Sequence, residues 1–97
     1  MREIKFRIFI QNRMVDFDDL REFINWMYHV HYSDESIIMQ YTGLKDQNGV
    51  DIYESDILNG NRIVKWDSES AGFFVEHGFS KSDVVIGNIY ENPDLIK

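Results

Sequence analysis

The sequence predicts an α+β domain that is mainly β: a small, strongly bent antiparallel sheet or SH3-like barrel with one helix over about residues 17–30. Three observations predict it. Apolar side chains recur with a period of two at Ile4, Phe6, Ile8 and Ile10. They change to helical spacing at Phe17, Leu20, Ile24, Met27 and Tyr28. Beyond residue 36, short β-branched and aromatic runs are separated by polar turns, among them Asn48-Gly49 and Asn59-Gly60. The first strand and the helix lack the apolar surface to stand alone, so residues 1–97 are expected to form a single domain.

Each element has its own local reason. In the first strand Lys5 and Arg7 alternate with the apolar residues, which predicts one apolar face and one polar or edge-like face. Gln11-Asn12-Arg13 reads as a turn. Asp16, Asp18 and Asp19 crowd the start of the helix, where the dipole favours negative charge, and Asp19 with Glu22 has the spacing of a capping box. Ser33 to Ser36 form a polar loop, and Ile37 to Thr42 a strand. Residues Lys45 to Gly49 turn the chain, and Val50 to Leu58 resume an extended segment. Further strands are expected at Arg62–Trp66, Gly72–Glu76 and Val84–Tyr90, with Pro93 stopping the last.

Composition narrows the function. The chain carries 17 acidic and 10 basic side chains, for a net charge of −7. Seven Phe, five Tyr and two Trp are enough large rings to build a core, so the chain is expected to fold. Cysteine is absent, which removes disulfides, thiol catalysis and Cys-based metal sites. No apolar run approaches the roughly 18 residues of a membrane span, and the N-terminus has no apolar signal core. The expectation is a soluble protein of the cytoplasm, with no membrane association.

Three separated blocks resemble the YopX family. They are Met1-Arg-Glu-Ile-Lys-Phe-Arg7, Met39-Gln-Tyr-Thr-Gly-Leu-Lys-Asp-Gln-Asn-Gly49 with Ile52-Tyr-Glu-Ser-Asp-Ile57, and Val85-Ile-Gly-Asn-Ile-Tyr-Glu-Asn-Pro-Asp-Leu95. The resemblance implies a protein encoded by a bacteriophage or prophage, at work in the bacterial host cell, with a mainly β or α+β fold and no assigned enzyme activity. Where the family usually has Gly, this chain has Ser55; if that position needs positive φ, Ser is strained there. Segment 16–36 matches no family block, so it is the place to look for a function specific to this chain.

Catalytic patterns are thin. His29 and His31 would point about 200° apart on a helix, and His77 is the only other imidazole, which disfavours a metal site. The serines lie in polar turn contexts, none in a Gly-x-Ser-x-Gly elbow, and neither a Walker A loop nor Gly-x-Gly-x-x-Gly occurs. The chain is expected to be no enzyme and to need no cofactor. Carboxylate pairs arise readily in so acidic a composition, and Asp56 is expected to satisfy turn amides. Residues 1–13 hold four basic groups and one acidic group, and the rest of the chain is strongly acidic. Direct nucleic-acid binding is therefore disfavoured, and the basic strand is expected to pair with acids of the same fold.

What remains is binding to a host or phage protein. The candidate contact residues are Asp16, Asp18, Asp19, Glu22, Asp34 and Glu35 for charge, with Phe23 and Trp26 as aromatic anchors. The alternative is a sharper form of the same idea: an acidic nucleic-acid mimic that inhibits a host nucleic-acid-binding or anti-phage defence protein. Adjacent aromatics such as Phe73-Phe74 and open strand edges also make a homo-oligomer an option.

Overall fold

A computed structural model describes residues 3–29 and 36–96. Strands β1 (Phe6–Ile10) and β2 (Arg13–Asp16) precede helix α1 (Leu20–His29). Then follow β3 (Ile37–Lys45), β4 (Asp51–Tyr53), β5 (Asp56–Leu58), β6 (Arg62–Ile63), β7 (Lys65–Asp67), β8 (Gly72–Phe74) and β9 (Val85–Asn88). A 3₁₀ turn, Pro93–Ile96, follows β9. Among the described residues three sheets form, in the orders β2-β1-β3-β4, β6-β5-β9 and β7-β8. Every pairing is antiparallel. Together they curl into a half-barrel with one helix, the mainly β fold that the sequence predicts.

The first departure from that expectation is β2. Gln11 and Asn12 both take positive φ, at 51° and 62°, the pair of left-handed residues that closes a tight hairpin. Met14 and Val15 therefore pair back onto Phe9 and Ile8. Asp16 lies in this strand and not in the helix. The helix starts three residues later than the spacing predicts, with Asp19 as its cap: the Asp19 Oδ1 accepts from the Glu22 amide at 2.9 Å.

The second departure concerns β1. Phe6, Ile8 and Ile10 face the helix side, where Ile8, Phe17 and Phe23 form a buried cluster flanked by Leu20, Trp26 and Ile38. The opposite face is covered as well, so it is neither a polar surface nor an edge. Arg7 is buried against Asp56, Lys5 reaches Asp51, and Phe9 stacks on Tyr90 with ring centres 5.4 Å apart. A second apolar cluster, Ile52, Leu58, Val64 and Val75, holds the later strands together and is flanked by Phe79 and Val85.

Carboxylates organise the loops. Asp46 Oδ1 accepts from the amides of Asn48 and Val50, and its Oδ2 accepts from the Val85 amide at 2.9 Å, tying the β3–β4 turn to β9. Asp83 accepts from Arg62 Nη2 at 2.8 Å and from the Ser80 amide at 2.7 Å. The Val85 amide chiefly lowers the Asp46 carboxyl below its ordinary value of 3.8. Burial pushes Asp83 up, but Arg62 and the Ser80 amide outweigh it and the net direction is also down. A depressed folded value means that the unfolded chain takes up the proton first as pH falls. These groups thus contribute stability above the ordinary 3.8, and the contribution fades as pH drops through their folded values. In urea titrations from pH 7 down to pH 2, Asp46→Asn and Asp83→Asn are each expected to start less stable and to show a flatter acid limb than the parent.

Ser55 sits at φ 76°, the left-handed region that costs an L-residue about 1–2 kcal/mol, at the turn between β4 and β5. Its amide donates to the Val64 carbonyl, and its own carbonyl accepts from the Ile89 amide, so the backbone cannot relax. Ser55→Gly is expected to raise stability by about 0.5–1 kcal/mol, after Gly's greater chain entropy is set against the strain relieved. A higher urea midpoint at unchanged slope is the readout.

Candidate functional site

The covered polar face of β1 opens at one side into a cleft of 390 Å³. Lys5, Arg7, Asp51 and Asp56 are its charged interior, Phe17 and Tyr53 its aromatic walls, and Asp16 and Asp18 its acidic rim. β1 supplies the two cations, β4 and β5 their counter-ions, and the segment after the first hairpin supplies the rim.

Arg7 is the centre of the cleft. Its Nη2 donates to Asp56 Oδ1 at 2.7 Å and, more weakly, to the Glu54 carbonyl at 3.4 Å. The guanidinium lies 4.6 Å from the centre of the Tyr53 ring. The other oxygen of Asp56 accepts from the Tyr53 amide at 2.7 Å, which bears out the turn role expected of it. Burial pushes the Asp56 carboxyl up against the pull of Arg7 and the Tyr53 amide. The Arg7 Nε is buried and has no acceptor among the described residues.

A second ion cluster lies beside the first. Lys5 pairs with Asp51 and with Glu3, and Lys45 reaches Asp51 from the other side. Lys5 stands 4.8 Å over the Tyr41 ring. Asp51 raises Lys5 well above the ordinary lysine value, so Lys5 stays charged at any physiological pH. Burial raises the Tyr53 phenol to about 12. That holds the phenol neutral, a donor and not a base.

The residues proposed from sequence are placed differently from one another. Asp16 sits on β2, directly opposite Arg7 in register, and Asp18 follows it at the rim. Both are exposed, as are Asp19 and Glu22 at the helix start. Phe23 is no surface anchor: it is 7% exposed, 5.0 Å from the Phe6 ring and 5.3 Å from Phe17. The helix period carries it to the face that meets β1. Trp26 is half-buried, edge-on to Phe17 at 5.6 Å, so part of its ring lies in the same core. Asp34 and Glu35 lie outside the described residues, as does His31. Phe73 packs edge-on against Trp66, and Phe74 is exposed.

Sequence reasoning missed Arg7, Tyr53 and Asp56 as members of one site. The available signal was weak: a cation in the middle of an otherwise apolar strand, and the expectation that it pairs within the fold. Among the described residues no group of His, Asp and Glu is arranged to hold a metal ion. No helix among the described residues is long and apolar enough to cross a membrane.

The architecture defines a class, a small curled antiparallel domain with one helix laid across its central strand. The chain belongs to the YopX family, whose profile, described as "YopX protein", matches residues 1–97. Its fold is similar to the crystal structure of protein EF1440 from Enterococcus faecalis, with a TM-score of 0.68 and 25% sequence identity over 97% of this chain and 98% of that one. No curated protein matches the sequence.

Proposed function

We propose that this chain is a small accessory protein of a phage or prophage that acts by binding another protein, without catalysis. The observation that carries this reading is the distribution of charge. Three of the ten basic side chains, Lys5, Arg7 and Arg62, are withdrawn into pairs with the largely buried Asp51, Asp56 and Asp83. What is left outside is dominated by carboxylates, and Asp16, Asp18, Asp19 and Glu22 form one exposed acidic run along the β2–α1 junction. Such a field speeds association with a basic partner and repels nucleic acid. The cleft groups favour binding over chemistry. Lys5 and Arg7 are held in ion pairs with Asp51 and Asp56, and burial keeps the Tyr53 phenol neutral.

The same acidic run favours the narrower alternative, a mimic that occupies the basic groove of a host nucleic-acid-binding or defence protein. The test is affinity capture from nuclease-treated bacterial lysate, washed in parallel at low and high salt, with bound proteins identified by mass spectrometry. The expected result is a basic protein retained at low salt, released at high salt, and lost with the Asp16→Asn/Asp18→Asn/Glu22→Gln variant. If nothing is retained at either salt concentration, the protein-binding reading fails. If capture resists both salt and the variant, the acidic-mimic alternative fails and an apolar contact takes its place.

A further inference from the structure

We propose that Asn48 is a site of spontaneous covalent rearrangement, losing ammonia to become aspartate and isoaspartate, and that the fold protects the second Asn-Gly pair, Asn59-Gly60, from the same reaction. The sequence presents the two pairs alike, and the tertiary structure separates them. This inference is independent of the protein-binding reading above.

The reaction needs a main-chain nitrogen as nucleophile, a side chain free to bring its Cγ to that nitrogen, and room for a five-membered imide. Gly after Asn suits it, because no Cβ hinders the approach. The Gly49 nitrogen gives its proton to hydroxide and bonds to Asn48 Cγ. The Cγ–Nδ2 bond then breaks, and Nδ2 leaves as ammonia with a proton taken from water. A second water opens the imide at either carbonyl. Opening at Cγ leaves aspartate. Opening at the main-chain carbonyl leaves isoaspartate, whose main chain runs through Cβ and Cγ. No electron is gained or lost, and water is the co-reactant.

Asn48 stands exposed in the β3–β4 turn, and its side chain has no hydrogen bond to a described residue. A methyl group added at Gly49 would find no atom within 4 Å, so the imide has room. One bond restrains the nucleophile, from the Gly49 amide to the Asp46 carbonyl at 3.0 Å. Asn59 is also exposed, but its side chain is held at both ends. Its Nδ2 donates to the Ser82 carbonyl at 3.2 Å, and its Oδ1 accepts from Arg62 Nη2 at 3.0 Å and from the Val84 amide at 3.1 Å. Arg62 is itself anchored on Asp83 at 2.8 Å, and its Nε would lie 3.8 Å from a Cβ at Gly60. Three bonds must break at Asn59 against one at Gly49. At a factor of about two to ten for each extra bond, Asn48 is expected to react about tenfold or more faster. The product bears on a turn that ties two parts of the fold together. Asp46 Oδ1 holds the Asn48 and Val50 amides, on either side of the reacting peptide bond, and Oδ2 holds the Val85 amide on β9. Isoaspartate lengthens the main chain between those first two amides and sets a second carboxylate beside Asp46, which weakens the tie.

The test is to age the full chain at pH 8, folded in buffer and unfolded in concentrated urea, and to follow both sites by peptide mapping with mass spectrometry. In the folded chain conversion at Asn48 is expected to lead that at Asn59 by about tenfold or more. Isoaspartate at position 48, separated from aspartate by chromatography, marks passage through the imide. The lead is expected to disappear in urea, where both pairs are free. The aged chain is expected to unfold at a lower urea midpoint than the fresh one. Freshly prepared Asn48→Asp, which adds the charge without lengthening the main chain, is expected to lose less. The proposal is overturned if folded Asn48 stays intact, if Asn59 converts as fast as Asn48 in the folded chain, or if the lead is the same in urea, which would assign it to the flanking residues. An aged chain with the midpoint of the fresh one would overturn the weakened tie to β9.

Discussion

Arg7→Met is expected to destabilise the domain by about 3–5 kcal/mol, enough to lower the thermal midpoint by roughly 12 °C or more in a domain of this size. The loss comes less from the attraction removed than from what is left behind. Asp56 is 1% exposed and would become a buried carboxylate with the Tyr53 amide as its remaining donor. Asp56→Leu is expected to cost at least as much, because it strands the Arg7 guanidinium and the Tyr53 amide together. The double variant Arg7→Met/Asp56→Leu should recover most of either loss, since no charge is then left in the interior. It should still fall short of the parent by about 1–3 kcal/mol, the penalty for the unmet Tyr53 N–H. Urea unfolding of the four proteins at pH 7 gives the coupling directly. Single-variant losses that simply add in the double would show that the pair is not coupled and that the account of β1's second face is wrong.

Phe23→Ala is expected to cost about 3–5 kcal/mol and to remove much of the far-ultraviolet helical signal. Phe23 is the one fully buried side chain of α1, and it meets both Phe6 on β1 and Phe17 before the helix. A helix of ten residues has little stability of its own, so losing its anchor frees the whole element. Tyr28→Ala provides the contrast. That side chain is 84% exposed, and its removal is expected to change stability by less than about 0.5 kcal/mol. If Phe23→Ala left stability untouched while abolishing capture of a partner, Phe23 would be a contact residue after all and its placement in the core would be overturned.

Much of the local structure was legible because it rests on near neighbours. The alternation from Ile4 to Ile10 announces β1, Asn48-Gly49 announces its turn, and the Asp19–Glu22 spacing announces a cap that does receive the Glu22 amide. The strain expected if position 55 needs positive φ is present at Ser55. Hairpin strand β2 was missed because four residues with two apolar side chains give almost no periodic signal. Its existence depends on Asn12 holding a left-handed turn. Helix α1 begins three residues later than the spacing predicts, because acids that suit a helix start also suit an exposed strand end, and only pairing decides between them.

The sequence by itself determined a mainly β fold, one amphipathic helix, the positions of most turns and the acidic composition of the chain. Each of these follows from residues within a turn or two of one another, or from a plain count. Tertiary structure alone decided that both faces of β1 are covered, that Phe23 looks inward, and that Arg7, Tyr53, Asp56 and Asp16 share a cleft. The reason is distance along the chain. Arg7 and Asp56 are 49 residues apart, and Lys5 and Asp51 are 46 apart. No local preference records which of seventeen carboxylates will neutralise a given cation. Burial makes that choice, because an ion enters the interior at tolerable cost only where the fold delivers its counter-ion and the donors that satisfy it.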